Sequence, residues 1–146
     1  MRRVFIDTNV LLDLLLERDP WIKEAEILFS LADRKRISLL CCSLSFSTAI
    51  YIMQRKGCKR DEIIRKLGVT KSLCQVTAVD GLVIDNMLQS EFSDLEDALQ
   101  YYSACAFSAD VIVTRNKKDF SVAEIPVFTP KEYINRLRSG IMTNEQ

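Results

Sequence analysis

"SDLEDALQYYSACAFSADVIVTRNKKDF", residues 93–120, is the stretch on which the fold turns. In its first half Leu95, Ala98, Leu99, Tyr102 and Ala106 recur at helical spacing behind Ser93 and Glu96. That S-x-x-E start predicts a capping box and a helix over 93–107. The second half changes period: "DVIVT" (110–114) is an apolar, β-branched run that turns polar at Thr114, as a buried strand does on leaving a sheet. A helix feeding a buried strand is one repeat of an α/β architecture.

Working outward, the same alternation recurs. "RVFID" (3–7) reads as a strand and "NVLLDLLLER" (9–18) as a helix that Pro20 helps to stop; "PWIKEAEILFSLADRKR" (20–36) gives a second helix. "ISLLCCS" (37–43) is a strand, followed by a helix over "SFSTAIYIMQRK" that Gly57 ends. A polar helix from Arg60 to Leu67 closes at Gly68, "LCQVTAV" (73–79) is a strand, and Asp80 caps a short helix through Met87. After residue 120 come a short strand in "IPVFT" and a helix opened by Pro130, "PKEYINRLRS". The expected fold is α/β: a three-layer α/β/α sandwich with a mainly parallel central sheet. One domain over 1–146 is expected, with a core at about 3–137 and a flexible C-terminal tail at about 139–146.

Composition narrows the chemistry. The 146 residues are 48% apolar and 27% charged, enough for a single core. The apolar N-terminal run is broken by Asp7, Asp13, Glu17 and Asp19, so no membrane span or cleaved signal is read and a cytoplasmic protein is expected. Five cysteines (Cys41, Cys42, Cys58, Cys74 and Cys105) are an odd number with no C-x-x-C spacing, which favours buried reduced thiols over a disulfide framework or a zinc site. There is no histidine, so no Ser-His-Asp triad, Cys-His pair or imidazole base exists. Carboxylates or a lysine must carry any catalysis. Net charge is zero, and the basic side chains are gathered locally at 33–36, at 55–60 and at Arg115, Lys117 and Lys118. Most such clusters serve helix C-termini and solvated faces.

Ligands of parallel sheets gather at the carboxyl ends of the strands. Those ends deliver Asp7, Ser43, Thr114 and Asn116, and the helix before the last of them brings Asp94, Glu96 and Asp97 in its first turn. Glu96 is accounted for by the capping box, while Asp94 is open to two readings, a complement to the helix dipole or a member of the site. Asp97 lies between Leu95 and Ala98 on a helix that must pack on the sheet. Asp7 follows a buried run directly, where an unpaired charge is costly, and no basic residue is an obvious partner. A divalent cation is a reasonable counterpart.

"FIDTNVLLDLL", "EDALQYYSACAFSADVIVTRNKKDF" and "IPVFTPKEYINRL" together resemble a PIN domain, the fold of VapC toxins and other ribonucleases, from Arg3 to about Leu137. The resemblance implies an acid cluster that holds Mg²⁺ or Mn²⁺ and activates water against an RNA phosphodiester, leaving a 5′-phosphate and a 3′-hydroxyl. Asp7 matches the first acid of that pattern and Asp97 the third. Where the second, a Glu, is expected the sequence has Ala49, and where the fourth is expected it has Asn116. Asp94 and Asp119 stand close enough in sequence to refill the pocket. The expected site is therefore Asp7, Asp94, Asp97, Asn116 and Asp119, with metal on Asp7, Asp94 and Asp97. Thr8, Asn9, Ser43 and Thr114 supply hydrogen bonds around it, and Arg115, Lys117 and Lys118 grip the nucleic-acid backbone. The implied partners are RNA, an antitoxin protein and a second copy of the chain, the last suggested by Phe29, Phe46, Ile50, Tyr51 and Met53. The two departures leave open a PIN-fold module that binds RNA or protein without cleaving. A phosphatase of the haloacid dehalogenase type is disfavoured, because "DTN" lacks the second aspartate which that chemistry uses.

Overall fold

The computed structural model describes residues 1–140. In chain order the elements are β1 (Arg3–Ile6), α1 (Thr8–Leu15), α2 (Ile22–Asp33), β2 (Ser38–Cys42), α3 (Ser43–Arg55), α4 (Arg60–Ser72), β3 (Cys74–Thr77), α5 (Gly81–Leu88), α6 (Leu95–Ala106), β4 (Val111–Val113), a 3-10 turn (Lys117–Phe120), β5 (Val127–Phe128) and α7 (Pro130–Arg138). The five strands form one sheet in the order β3-β2-β1-β4-β5, and every pairing is parallel. Ile6 stands opposite Cys41 on one side and Val113 on the other.

Alternation along the central strands separates two cores. Val4, Ile6, Leu39, Cys41, Val111 and Val113 face a cluster completed by Leu11, Leu28, Met53 and Tyr133 from the helices. Phe5, Leu40, Cys42 and Ile112 face the other way, against Ala98, Tyr101 and Ala104 of α6 and against Phe92 and Phe120. Strands covered on both sides cannot show a polar stripe, which is why they read as continuous apolar runs. Each core aliphatic group removed from water is worth about 1.5–3 kcal/mol. Among the described residues no helix is long and apolar enough to cross a membrane.

Several boundaries differ from the sequence reading. Gly57 (φ +86°) does end α3, whereas Gly68 lies inside α4, which continues to Ser72. Helical φ is open to any residue, so a glycine there marks no stop. The capping box predicted at Ser93 and Glu96 is absent: Asp94 is the N-cap of α6, and its Oδ1 accepts from Asp97 N at 3.0 Å. A capping box forms instead at Thr129 and Glu132 ahead of α7. The turn at 117–120 went unread. Only Cys41 and Cys42 of the five thiols are buried, and Cys105 is exposed. Of the apolar residues read as a docking face, Phe29 and Met53 are core, while Ile50 and Tyr51 are exposed. The expected tail lies outside the described residues from Ile141 onward.

Strand order runs outward from β1 in opposite directions, to β2 and β3 on one side and to β4 and β5 on the other. The carboxyl ends of β1 and β4 therefore meet at the topological switch point, where open α/β sheets leave a crevice.

Candidate active site

Asp7 is the residue between β1 and α1, anchored by its N–H to Val113 O of β4 at 3.0 Å. It occupies the N-cap position of α1, yet its side chain makes no capping bond. The carboxylate is instead held by Thr114, whose Oγ1 donates to Asp7 Oδ2 at 2.8 Å. Burial pushes the Asp7 carboxyl above its ordinary range, and hydrogen bonds from Thr114 and Gln100 pull it part of the way back. Thr114 in turn accepts from Asn116 N at 3.1 Å, which fixes the turn leaving β4.

From the first turn of α6, Asp97 looks toward the same crevice. Its carboxyl is pushed up to about 7, first by burial and then by the negative charges of Asp7, Asp94, Asp119 and Glu96. Asp119 also raises Asp7. Its carboxylate is oriented by Asn116, whose Nδ2 donates to Asp119 Oδ2 at 2.9 Å. Asn116 thus works through Asp119: the amide braces a carboxylate that lies in the field of both Asp7 and Asp97. Asp94 also adds negative charge beside Asp97, with one oxygen engaged as the α6 cap.

The α3 side of the site departs from expectation. Ala49 is fully buried in the apolar cluster that also holds Val4, Ile6 and Val10. Toward the site α3 turns Ser45 and Thr48. Ser45 Oγ lies 2.6 Å from Thr8 Oγ1, and Thr8 N and Oγ1 both donate to Gln100 Oε1, at 3.0 and 3.1 Å. Sequence reasoning named Thr8 but missed Ser45 and Gln100. Gln100 is three residues beyond Asp97, hence on the same helix face, and that spacing was its signal. Asn9 is exposed and Ser43 half-buried, and neither side chain makes a hydrogen bond among the described residues.

The basic residues are placed otherwise than read. Arg115 points away from the crevice onto Asp13: Nη2 donates to Oδ1 at 3.2 Å, and Nε approaches Oδ2 at 2.9 Å outside hydrogen-bond alignment. Arg18 adds a second cation at 3.6 Å, and the Arg115 guanidinium lies 3.8 Å over the Trp21 ring. Lys117 pairs with Glu132 at 3.2 Å, with both side chains about half exposed, a pairing of small energetic consequence. Lys118 is exposed and has no such partner among the described residues.

The Thr114 hydroxyl is a testable support. Thr114→Val keeps the shape and removes a buried bond to a charged group, an expected loss of about 2 kcal/mol. Because the bond to Thr114 holds the Asp7 carboxyl down, the variant's carboxyl rises further. A carboxyl raised in the fold costs stability as pH climbs above its unfolded value, so the deficit should be larger at pH 8 than at pH 4. Thermal melts at the two pH values check this; an equal deficit would remove Asp7 from the account.

Comparison with known proteins bears on this geometry. A family model described as PIN domain matches residues 3–118. Among solved structures the chain is similar to VapBC2 from Rickettsia felis bound to a promoter DNA fragment, at 19% identity and TM-score 0.62, covering 86% of this chain and 96% of that one. A toxin–antitoxin complex from Klebsiella pneumoniae matches at 21% identity and TM-score 0.62, over 87% and 97%. Mycobacterium tuberculosis VapC20, described as a sarcin–ricin loop cleaving toxin, matches at 15% identity and TM-score 0.62, over 84% and 95%. No curated protein sequence matches the chain. The structural likenesses establish a shared fold, and the family match extends over most of the chain: it belongs to the PIN domain family.

Proposed function

We propose that this protein is a divalent-metal-dependent ribonuclease that hydrolyses RNA phosphodiester bonds at Asp7, Asp97 and Asp119, and that it is the toxin of a toxin–antitoxin pair. The observation that carries the reading is an excess of negative charge to which no cation is ion-paired among the described residues. Burial first and then its acidic neighbours push Asp97 up to about 7, while Arg115 is held by Asp13 and Lys117 by Glu132. Structural relatives that cleave RNA or pair with antitoxins support the substrate and the partner.

The donor set fits a hard cation in a lean form. Among the described residues no group of three or more acids or thiols converges closely enough to hold a metal ion. Mg²⁺, however, is commonly held through one or two carboxylates, with waters and substrate phosphates completing its octahedron. Asp7 and Asp97 would supply those carboxylates, and Asp119 would accept from a bound water. When bound, Mg²⁺ or Mn²⁺ lowers the pKa of a coordinated water and offsets charge on the phosphoryl oxygens. Thr114 fixes the Asp7 carboxylate, Asn116 fixes that of Asp119, and the Thr8–Ser45–Gln100 network holds the backbone beside Asp7.

Cleavage of end-labelled RNA in Mn²⁺, with and without EDTA, tests the reading. Products with 5′-phosphate and 3′-hydroxyl ends are expected; 2′,3′-cyclic phosphate ends would contradict it. The absence of a three-acid set and of any acid on the site face of α3 favours one second reading, a PIN-fold module that binds RNA or a partner without cutting.

Lys118 is the cation left for the RNA backbone. Lys118→Ala should weaken RNA binding and lower the salt slope of log K by about one unit. An unchanged slope between 50 and 200 mM salt would take Lys118 out of the interface.

A further inference from the structure

A recess of about 160 Å³ opens beside the acids, lined by Thr8, Leu44, Ser47, Thr48, Glu96 and Gln100. Its inner wall is rigid. Gln100 is only 4% exposed, its Oε1 is fixed by two donors from Thr8, and Thr8 is braced by the fully buried Ser45. Thr8 and Glu96 are each the chain neighbour of a site acid, Asp7 and Asp97 respectively, so the recess borders the segments that carry those acids.

Glu96 is the unexplained member. The capping role that its sequence position suggests is taken by Asp94, and the Glu96 side chain makes no hydrogen bond or ion pair among the described residues. An acceptor-only group is thereby left on the rim of a hydroxyl-lined hollow that has one apolar wall, Leu44. Phosphate is a poor occupant, because Glu96 is itself a carboxylate and Asp97 is its chain neighbour. A flat ring that lays a face on Leu44 and turns donors toward Glu96 is a good one. A carboxylate offers two adjacent acceptors. On a base's Watson–Crick edge, the edge exposed in single-stranded RNA, guanine alone presents two adjacent donors, N1–H and the N2 amino group.

We propose that this recess is a base-specificity pocket that receives a guanine next to the scissile bond, with Glu96 accepting from N1–H and N2–H₂. The proposal rests on the reading of the site as a ribonuclease, and it deepens that reading by naming a base preference.

Uncharged nucleosides provide a test that needs neither metal nor cleavage. Guanosine and uridine are titrated separately into the full chain in EDTA, and the methyl resonances of Leu44 and Thr48 are followed by NMR. Guanosine is expected to shift both, uridine to leave them in place, and Glu96→Gln, which offers only one acceptor, to weaken guanosine binding about tenfold. Glu26→Gln, which neutralises an exposed carboxylate on α2 outside the recess, should keep the preference for guanosine. Equal responses to the two nucleosides, no response to either, or discrimination that survives Glu96→Gln would each overturn the pocket. A protein that discriminates guanosine yet never cleaves RNA would sink the nuclease reading and leave the pocket standing.

Discussion

Asp97→Asn is expected to reduce RNA cleavage on the order of 10³-fold and, in the same preparation, to raise the melting temperature of the metal-free protein at pH 8. The two effects share one cause. Burial and four neighbouring acids push the Asp97 carboxyl up to about 7 from 3.8, so its charged form is disfavoured in the fold. That destabilisation is absent below the unfolded value, grows as pH rises toward 7, and is flat beyond. Taken in full, such a shift would correspond to about 4 kcal/mol. Asp97 is only half-buried, so solvent screening reduces this to roughly 1–2 kcal/mol. For a chain of this size that is about 3–6 °C. The neutral amide keeps the shape and removes the charge, so the melting curves should coincide at pH 4 and separate at pH 8. Added Mn²⁺ should reverse the order by stabilising the wild type alone. A variant less stable than wild type at pH 8 in EDTA would show that Asp97 is a structural acid.

Arg115→Ala is expected to cost about 3–5 kcal/mol, near the limit for a single substitution, although the residue lies close to the surface. The reason is Asp13, 1% exposed, whose buried carboxylate is met by Arg115 with help from Arg18. Burial already pushes the Asp13 carboxyl up and the two cations oppose it, so removing Arg115 drives it higher. The variant's deficit should therefore grow between pH 4 and pH 8 as Asp13 is forced to ionise. Trp21 would also lose the guanidinium stacked on its ring. Replacing Asp13 by Leu together with Arg115 by Met should recover much of the loss, since a packed apolar pair needs no compensation. RNA affinity per folded molecule should be unchanged. A specific loss of RNA binding with normal stability would return Arg115 to the nucleic-acid surface.

The contrast between Arg115 and Asn116 shows where the sequence was informative. The fold was legible because the signals are local: periodicity changes at Ala109, β-branched runs at 4–6 and 111–113, and Gly57 after α3. Asp7, Asp97 and Thr114 were legible because a polar residue at the end of a buried run has one place to go. Partnerships across the chain were not. Nothing in "TRNKKDF" says that Arg115 reaches back to an acid 102 residues earlier, or that Asn116 donates to Asp119 and so hands the charge on. Ala49 lies in the core, which the sequence did not show because one residue along a helix turns a side chain by 100°, enough to exchange the site for the core. Glu96 was mistaken for a cap because two competent N-caps, Ser93 and Asp94, stand side by side. Only the backbone angle into α6 decides between them.

The central claim is that two or three carboxylates at the β1–β4 crevice bind a catalytic divalent ion. Calorimetric titration of Mn²⁺ into the wild type and Asp97→Asn at pH 8, with RNA cleavage measured on the same samples, tests it most directly. The account predicts saturable binding and cleavage by the wild type, both lost in the variant. Wild-type protein that cleaves RNA without binding Mn²⁺, or that binds neither Mn²⁺ nor Mg²⁺, would contradict it.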